Sequence, residues 1–176
     1  LENPIETRPL YEQSFEDTKD FVDYYYNNMV QCNNVLALKV KDEVAAMLHI
    51  VPKRFATLGE VDYYYAIATA KKHRKKGYMA RLIQKAMRLS RRNGKGLVYL
   101  VPAIKGMYEK FGFASFGQRY SPLTIRQKLS EYEMAEYTEY SIELVERLKT
   151  VFMEKIAPCF EDYIVRDENY YKPLLQ

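Results

Sequence analysis

The chain has 176 residues, 48% of them apolar and 14% aromatic, which argues against a disordered chain and suits one packed domain or one domain plus the beginning of another. A net charge of +4 favours an anionic ligand without calling for nucleic acid. Cys32 and Cys159 match no metal or redox spacing, no apolar run is long enough to span a bilayer, and no stretch reads as a signal peptide, so the expectation is a reduced cytoplasmic protein without metal or membrane.

Leu1 stands where an initiating Met would, which suggests a trimmed start and a missing preceding strand. Ser14-Phe-Glu-Asp17 resembles a capping box, and Phe21, Val22, Tyr25 and Met29 then recur at helical spacing, predicting a helix to about Val30. Val35–Val40 and Val44–Val51 are short runs rich in Val, Leu and Ile that predict an antiparallel hairpin. Pro52 is expected to end the second strand and Lys53–Gly59 to form a loop.

Glu60–Thr69 reads as a strand, bulky and aromatic at its start and small at its end, where something could lie against the backbone. The basic turn Ala70-Lys-Lys-His-Arg-Lys-Lys-Gly77 follows, and then a helix with Met79, Leu82, Ile83, Ala86 and Met87 on one stripe and Arg81, Lys85, Arg88 and Arg92 opposite. Asn93-Gly94 supplies the stop. Leu97–Val101 is an uninterrupted apolar strand, expected to be covered on both faces and parallel to its predecessor. A short helix Ala103–Phe111, stopped by Gly112, and a strand over Phe113–Arg119 come next. A soft boundary falls near Ser121-Pro122, and Ile142, Val145, Leu148, Phe152 and Ile156 predict one more amphipathic helix, ended by Pro158. There are no internal repeats.

A strand that ends in a basic loop and feeds a helix presents free N–H groups and partial positive charge to an anion. Gly77 permits close approach, and Arg74, Lys75 and Lys76 add formal charge. Neither the dinucleotide fingerprint nor the P-loop is present, so the pattern fits a diphosphate in another geometry. A solvated basic helix start is the ordinary alternative. The basic face also alternates with a regular apolar stripe and lacks interleaved aromatics apart from Tyr78, which argues against nucleic acid.

Arg74-Lys-Lys-Gly77-Tyr-Met79 resembles the Arg/Gln-x-x-Gly-x-Gly/Ala loop of the GNAT superfamily of N-acetyltransferases. Tyr108-Glu-Lys-Phe-Gly-Phe113 is similar to that superfamily's Tyr-x-x-x-Gly-Phe segment. The order and spacing of the two agree with it over roughly Phe15 to Gly117. The departure is Met79, large where the motif has a small residue. A bulky residue there resembles the enhanced intracellular survival family, and Val165-Arg-Asp-Glu-Asn-Tyr-Tyr171 looks like the opening of that family's second lobe.

The resemblance implies an α/β (by some schemes α+β) fold whose mixed, mainly antiparallel sheet has one parallel strand pair and flanking helices. It implies acetyl-CoA as co-substrate, a GNAT-like unit over 1–121 and a helical extension over 122–176 that starts a second lobe. Ile67, Ala68 and Thr69 would pair with the pantetheine amides, and Arg74, Lys75, Lys76, Gly77, Tyr78, Met79 and Ala80 would hold the pyrophosphate.

An alkyl amine with a pKa near ~10 must lose a proton before attack, and a departing thiolate is helped by a donor. Tyr108 stands where GNAT relatives carry the tyrosine that donates to sulfur, although with 17 tyrosines in the chain any one of them is ordinarily packing. Glu60 is the candidate base, acting through water, against the plain reading of a solvated residue before a strand. His49 reads as a satisfied core histidine. Tyr63-Tyr-Tyr65 and Tyr24-Tyr-Tyr26 are candidates to line a small-molecule or peptide amine pocket. The rival to an enzyme is a module, or an incomplete fragment, that binds acyl-CoA without turnover, and a homo-oligomer is compatible with either.

Overall fold

The computed structural model describes residues 3–115 and 141–175. Its sheet runs in the order β1-β2-β3-β4, with β1 Val35–Val40, β2 Glu43–Phe55, β3 Gly59–Thr69 and β4 Val98–Tyr99. The first three strands are antiparallel and β3–β4 is parallel, the mixed sheet expected. The helices are α1 Arg8–Glu12, α2 Lys19–Asn28, α3 Tyr78–Arg92, α4 Ile142–Val151 and α5 Glu168–Leu175.

Helices cover both faces of β2. On one, Leu10 and Tyr11 of α1 and Val22, Tyr25 and Tyr26 of α2 pack on Val44, Met47 and Ala68. On the other, Leu82, Ile83 and Ala86 of α3 pack on Ala46, Leu48, Ile50 and Tyr64. Neighbouring strand residues point to opposite faces, so β2 is apolar at every position from Val44 to Ile50 except His49, and all are buried.

α2 starts later than the capping box suggests. The N–H groups of Ser14 and Phe15 are taken by the Tyr11 carbonyl at the close of α1, so Ser14 belongs to that turn. Thr18 caps α2 instead, its hydroxyl accepting from the Phe21 N–H at 3.3 Å. The inward face is Val22, Tyr25 and Tyr26, while Phe21 and Met29 are exposed.

Pro52 does not end β2, which continues to Phe55 through the expected loop. The Asp62 N–H donates to the Leu97 carbonyl at 3.3 Å, away from β2, so the facing pair Asp62–Pro52 is not a hydrogen-bonded one. The proline nitrogen therefore faces the side where β1 has already stopped, its last partner being His49, and no ladder bond is lost. That vacated edge is filled by the tail: Val165 N–H donates to Arg54 O at 2.7 Å and Ala56 N–H to Tyr163 O at 3.0 Å, with Phe55 bridging Ile164. The Asp162 carboxylate accepts from the N–H groups of Thr57 and Leu58, a reach of 105 residues to the former.

β4 is shorter than Leu97–Val101, and Val101 is exposed. The expected helix 103–111 is a series of turns ending in a single 3₁₀ turn, Glu109–Phe111, with Gly112 left-handed at φ +91°. Phe113–Ser115 is irregular; the rest of the strand expected over Phe113–Arg119 and the boundary near Ser121-Pro122 lie outside the described residues. The C-terminal apolar helix forms as α4 and continues through a π-turn, Phe152–Ile156, although Ile142 faces outward.

Candidate active site

The centre of β3 carries a bulge. Two steps of β2, Met47 to His49, are matched by three of β3, Ala68 to Tyr65, and Ala66 takes φ +49°. A left-handed non-glycine residue costs on the order of 1–2 kcal/mol, and such strain clusters at functional positions. A bulge also bends its strand. β4 pairs with Asp62 and Tyr63, before the bulge, and with nothing beyond it.

The Ala70 N–H donates to Ala45 O at 3.0 Å, and ladder bonding alternates, so Ala68 turns its peptide groups to Met47. Ile67 and Thr69 turn theirs to the side β4 has left. Of the three residues expected to meet a pantetheine arm, Ile67 and Thr69 turn to that side and Ala68 is committed to β2. The Thr69 carbonyl accepts from Arg74 Nε at 3.3 Å, which ties the strand end to the basic loop.

In that loop Lys75 (φ +62°) and Gly77 (φ +77°) are both left-handed, and Gly77 is the N-cap of α3 with no side chain bonded to the free amides. A β-carbon on Gly77 would meet nothing within 4 Å, so the space over the helix start is open. Arg74, Lys75 and Lys76 are exposed around it, and Tyr78, Met79 and Ala80 form the half-buried first turn. Lys72 is held by Glu43 at 2.5 Å. Two buried polar atoms nearby, Thr69 Oγ1 and His73 Nδ1, have no hydrogen-bond partner among the described residues. A cleft of about 440 Å³ is lined by Glu43, Thr69, Ala70, Lys71, Lys72 and Arg74, with Leu10 of α1 and with Gln13 and Ser14 just after that helix. That volume lies in the range of small-ligand sites, roughly 300–1,000 Å³. Free amides, unpartnered buried polar atoms and loose cations are the donor set a diphosphate needs.

Tyr108 precedes the 3₁₀ turn, and its carbonyl accepts from the Phe111 N–H at 2.9 Å. Its ring lies 6.5 Å from that of Phe111 and 6.0 Å from that of Phe113, and like Ile67, Tyr78 and Met79 it packs against the α3-side core. The expected proton donor therefore shares one core cluster with the strand end and the helix start. Burial raises its pKa above the ordinary phenol value, so it carries its proton at neutral pH.

Glu60 lies elsewhere, at the far end of β3. It is exposed and ion-paired with Lys95, which holds its carboxyl below the usual carboxylate range and weakens it as a base. His49 is buried as expected: its Nδ1 meets Tyr25 Oη at 2.8 Å and its Nε2 meets Thr7 Oγ1 at 3.2 Å, and burial pushes its pKa down to about 4. Tyr25, Tyr26 and Tyr64 are core, whereas Tyr63 and Tyr65 are half-buried on the α1–α2 face, with Tyr63 stacked on Tyr99 at 4.8 Å. Unanticipated is a chain of hydroxyls: Tyr11 Oη donates to Asp17 Oδ2 at 2.7 Å and meets Tyr65 Oη at 2.7 Å. α1 is too short to show a period, so nothing in the sequence set Tyr11 beside β3.

A mixed sheet with one parallel strand pair, and a basic glycine turn leading from it into a helix, is the fold that the sequence resemblance implies for an acyltransferase. The sequence profile of the acetyltransferase (GNAT) domain matches residues 6–116, and the chain belongs to that family. No curated protein matches it. Among solved structures it resembles a predicted acetyltransferase from Clostridium acetobutylicum solved with acetyl-CoA (18% identity, 74% of this chain and 89% of that one, TM-score 0.54). It also resembles an aminoglycoside 6'-N-acetyltransferase from Acinetobacter haemolyticus (14%, 66% and 88%, TM-score 0.56). A GCN5-related N-acetyltransferase from Anabaena variabilis is 21% identical over 62% of this chain, which spans only 29% of that one (TM-score 0.54). No helix among the described residues is long and apolar enough to cross a membrane.

Proposed function

We propose that this protein is an acetyl-CoA-dependent N-acetyltransferase that passes acetyl from the thioester directly to a primary amine. The observation that carries the reading is that β3 parts from β4 beyond Tyr63 and runs into the open turn at Gly77, while Tyr108 packs, with Ile67 and Met79, on the same α3-side core. The diphosphate would rest on the amides after Gly77 with Arg74, Lys75 and Lys76 around it, and the pantetheine amides would pair with Ile67 and Thr69. The amine, once deprotonated, forms its bond to the carbonyl carbon. The carbon–sulfur bond breaks, and Tyr108 gives its proton to sulfur. Glu60 takes no part in proton transfer in this reading.

The acceptor is a small-molecule amine, the class named for the Acinetobacter neighbour. In this reading residues 1–121 are the coenzyme unit and 122–176 an extension whose described part carries α4 and α5. The test is release of free CoA thiol from acetyl-CoA with a panel of amines. Thermal stabilisation by acetyl-CoA with no thiol released for any amine would mean a binding module instead.

A further inference from the structure

Deprotonation of the acceptor amine is left without a base by the placement of Glu60. The hydroxyl chain on the opposite face of the sheet from Tyr108 can do this work, an inference that rests on the acetyltransferase reading. An ionised carboxylate only accepts hydrogen bonds. Asp17 is exposed, and Tyr11 spends its one proton on it, as the 2.7 Å bond records. The second contact of Tyr11, also 2.7 Å, must then run from Tyr65 to Tyr11. With its proton committed, the Tyr65 oxygen has only lone pairs to offer outward.

Three features place that oxygen where a substrate ammonium would arrive. Tyr65 immediately precedes the bulge at Ala66, where β3 parts from β4. It is half-buried, Tyr11 is fully buried and Asp17 is exposed, so the chain crosses the buried ring of Tyr11 and ends at solvent. The ring of Tyr63 lies 5.7 Å from that of Tyr65, and aromatic faces attract an ammonium.

We propose that Tyr65 takes the proton the attacking amine must lose and that Tyr11 and Asp17 carry it to solvent. One N–H bond of the ammonium breaks as an O–H bond forms on Tyr65. The proton of Tyr65 passes to Tyr11, and that of Tyr11 to Asp17 Oδ2. Asp17 releases it to water, and both hydroxyls rotate back. No phenolate accumulates, which suits the raised pKa of both phenols, caused first by desolvation. A thioester in the gap between β3 and β4 would have the proton acceptor on one face of the sheet and Tyr108, the donor to sulfur, on the other. The titratable groups packed around the pair are Tyr25 and Tyr26 of α2, His49 of β2 and Tyr63 of β3, and the charge of Arg8 is held by Glu12 and Asp23.

The experiment measures kcat/KM for an alkyl amine from pH 6 to about 10 in wild type, Asp17→Asn and Tyr65→Phe, with acetyl-CoA affinity followed by calorimetry. Asp17→Asn is at the surface and keeps the shape of the side chain. General-base loss is expected to lower kcat/KM about 100-fold for Tyr65→Phe and at least tenfold for Asp17→Asn at pH 7. Acetyl-CoA affinity should be unchanged, and the variants should converge on wild type as pH approaches the amine pKa of ~10, where the free base is supplied by solution. Variants that follow the wild-type profile, or fall by one factor at every pH, overturn the relay alone. Wild type that acetylates no amine at any pH overturns the relay and the acetyltransferase reading together.

Discussion

Gly77 and Gly94 stand at opposite ends of α3 with nearly the same backbone, φ +77° and +74°, and a β-carbon on either would touch nothing within 4 Å. Replacing either by alanine therefore carries only the left-handed penalty of roughly 1–2 kcal/mol, without a clash. For a chain of this length that lowers Tm by roughly 2–4 °C per kcal/mol, so the two variants should melt at similar temperatures. They should part on ligand binding. The added methyl on Gly77 occupies the open space over the helix amides, while that on Gly94 lies at the other terminus. Loss of one amide–phosphate bond is worth about 1.5–3 kcal/mol, which is tenfold or more in Kd. Calorimetry should thus show acetyl-CoA affinity down at least tenfold in Gly77→Ala and unchanged in Gly94→Ala. Equal affinities in the two variants, with matched melting losses, would refute close approach of the diphosphate to Gly77.

Other outcomes follow from the same contacts. Arg74→Ala with Lys76→Ala should weaken acetyl-CoA binding and flatten its salt dependence, read by titration at two ionic strengths. Tyr108→Phe should lower turnover while sparing acetyl-CoA affinity, and wild-type rates would place the sulfur's proton elsewhere. Ser90 donates to Asp62 at 2.5 Å and meets Tyr64 Oη at 3.0 Å, all three buried, so Ser90→Ala should destabilise by roughly 1–3 kcal/mol in denaturant melts. His49 has a folded pKa near 4, below its unfolded value of ~6.5, so its stabilisation is complete above pH ~6.5 and lost as pH falls through the folded value. Denaturant stability measured at pH 7 and 4.5 should drop more in wild type than in His49→Gln.

The parts of the fold legible in the sequence are those with a period. The stripe Met79, Leu82, Ile83, Ala86, Met87 and the Asn93-Gly94 stop gave α3, and β-branched runs gave β1 and the first half of β2. What escaped depended on neighbours. Pro52 fails as a strand terminator because β1 ends before it, a fact of pairing that no local pattern carries. Ser14 has the chemistry of a cap but is used by α1, whose five residues are too few to show a repeat. At the site, the basic loop stands out by residue type, and Tyr108 is singled out only by the resemblance to the GNAT Tyr-x-x-x-Gly-Phe segment. The bulge at Ala66 could not, since alanine is an unremarkable strand residue and its positive φ is imposed by the unequal count across the β2–β3 ladder. Glu60 reads in the sequence only as a carboxylate at a strand start, and its ion pair forms because Lys95, past the end of α3, returns beside it.

The way Tyr163–Val165 closes the flank of β2 has a practical corollary for recombinant work. Shortening the protein to stop before Asp162 would strip donors and acceptors from Arg54 to Leu58 of their partners and leave Phe55 beside them uncovered. A bare, flat strand margin of that sort invites another molecule to zip onto it. Soluble, monodisperse preparations should therefore keep the tail through Val165, and trimmed versions should precipitate or elute as larger species.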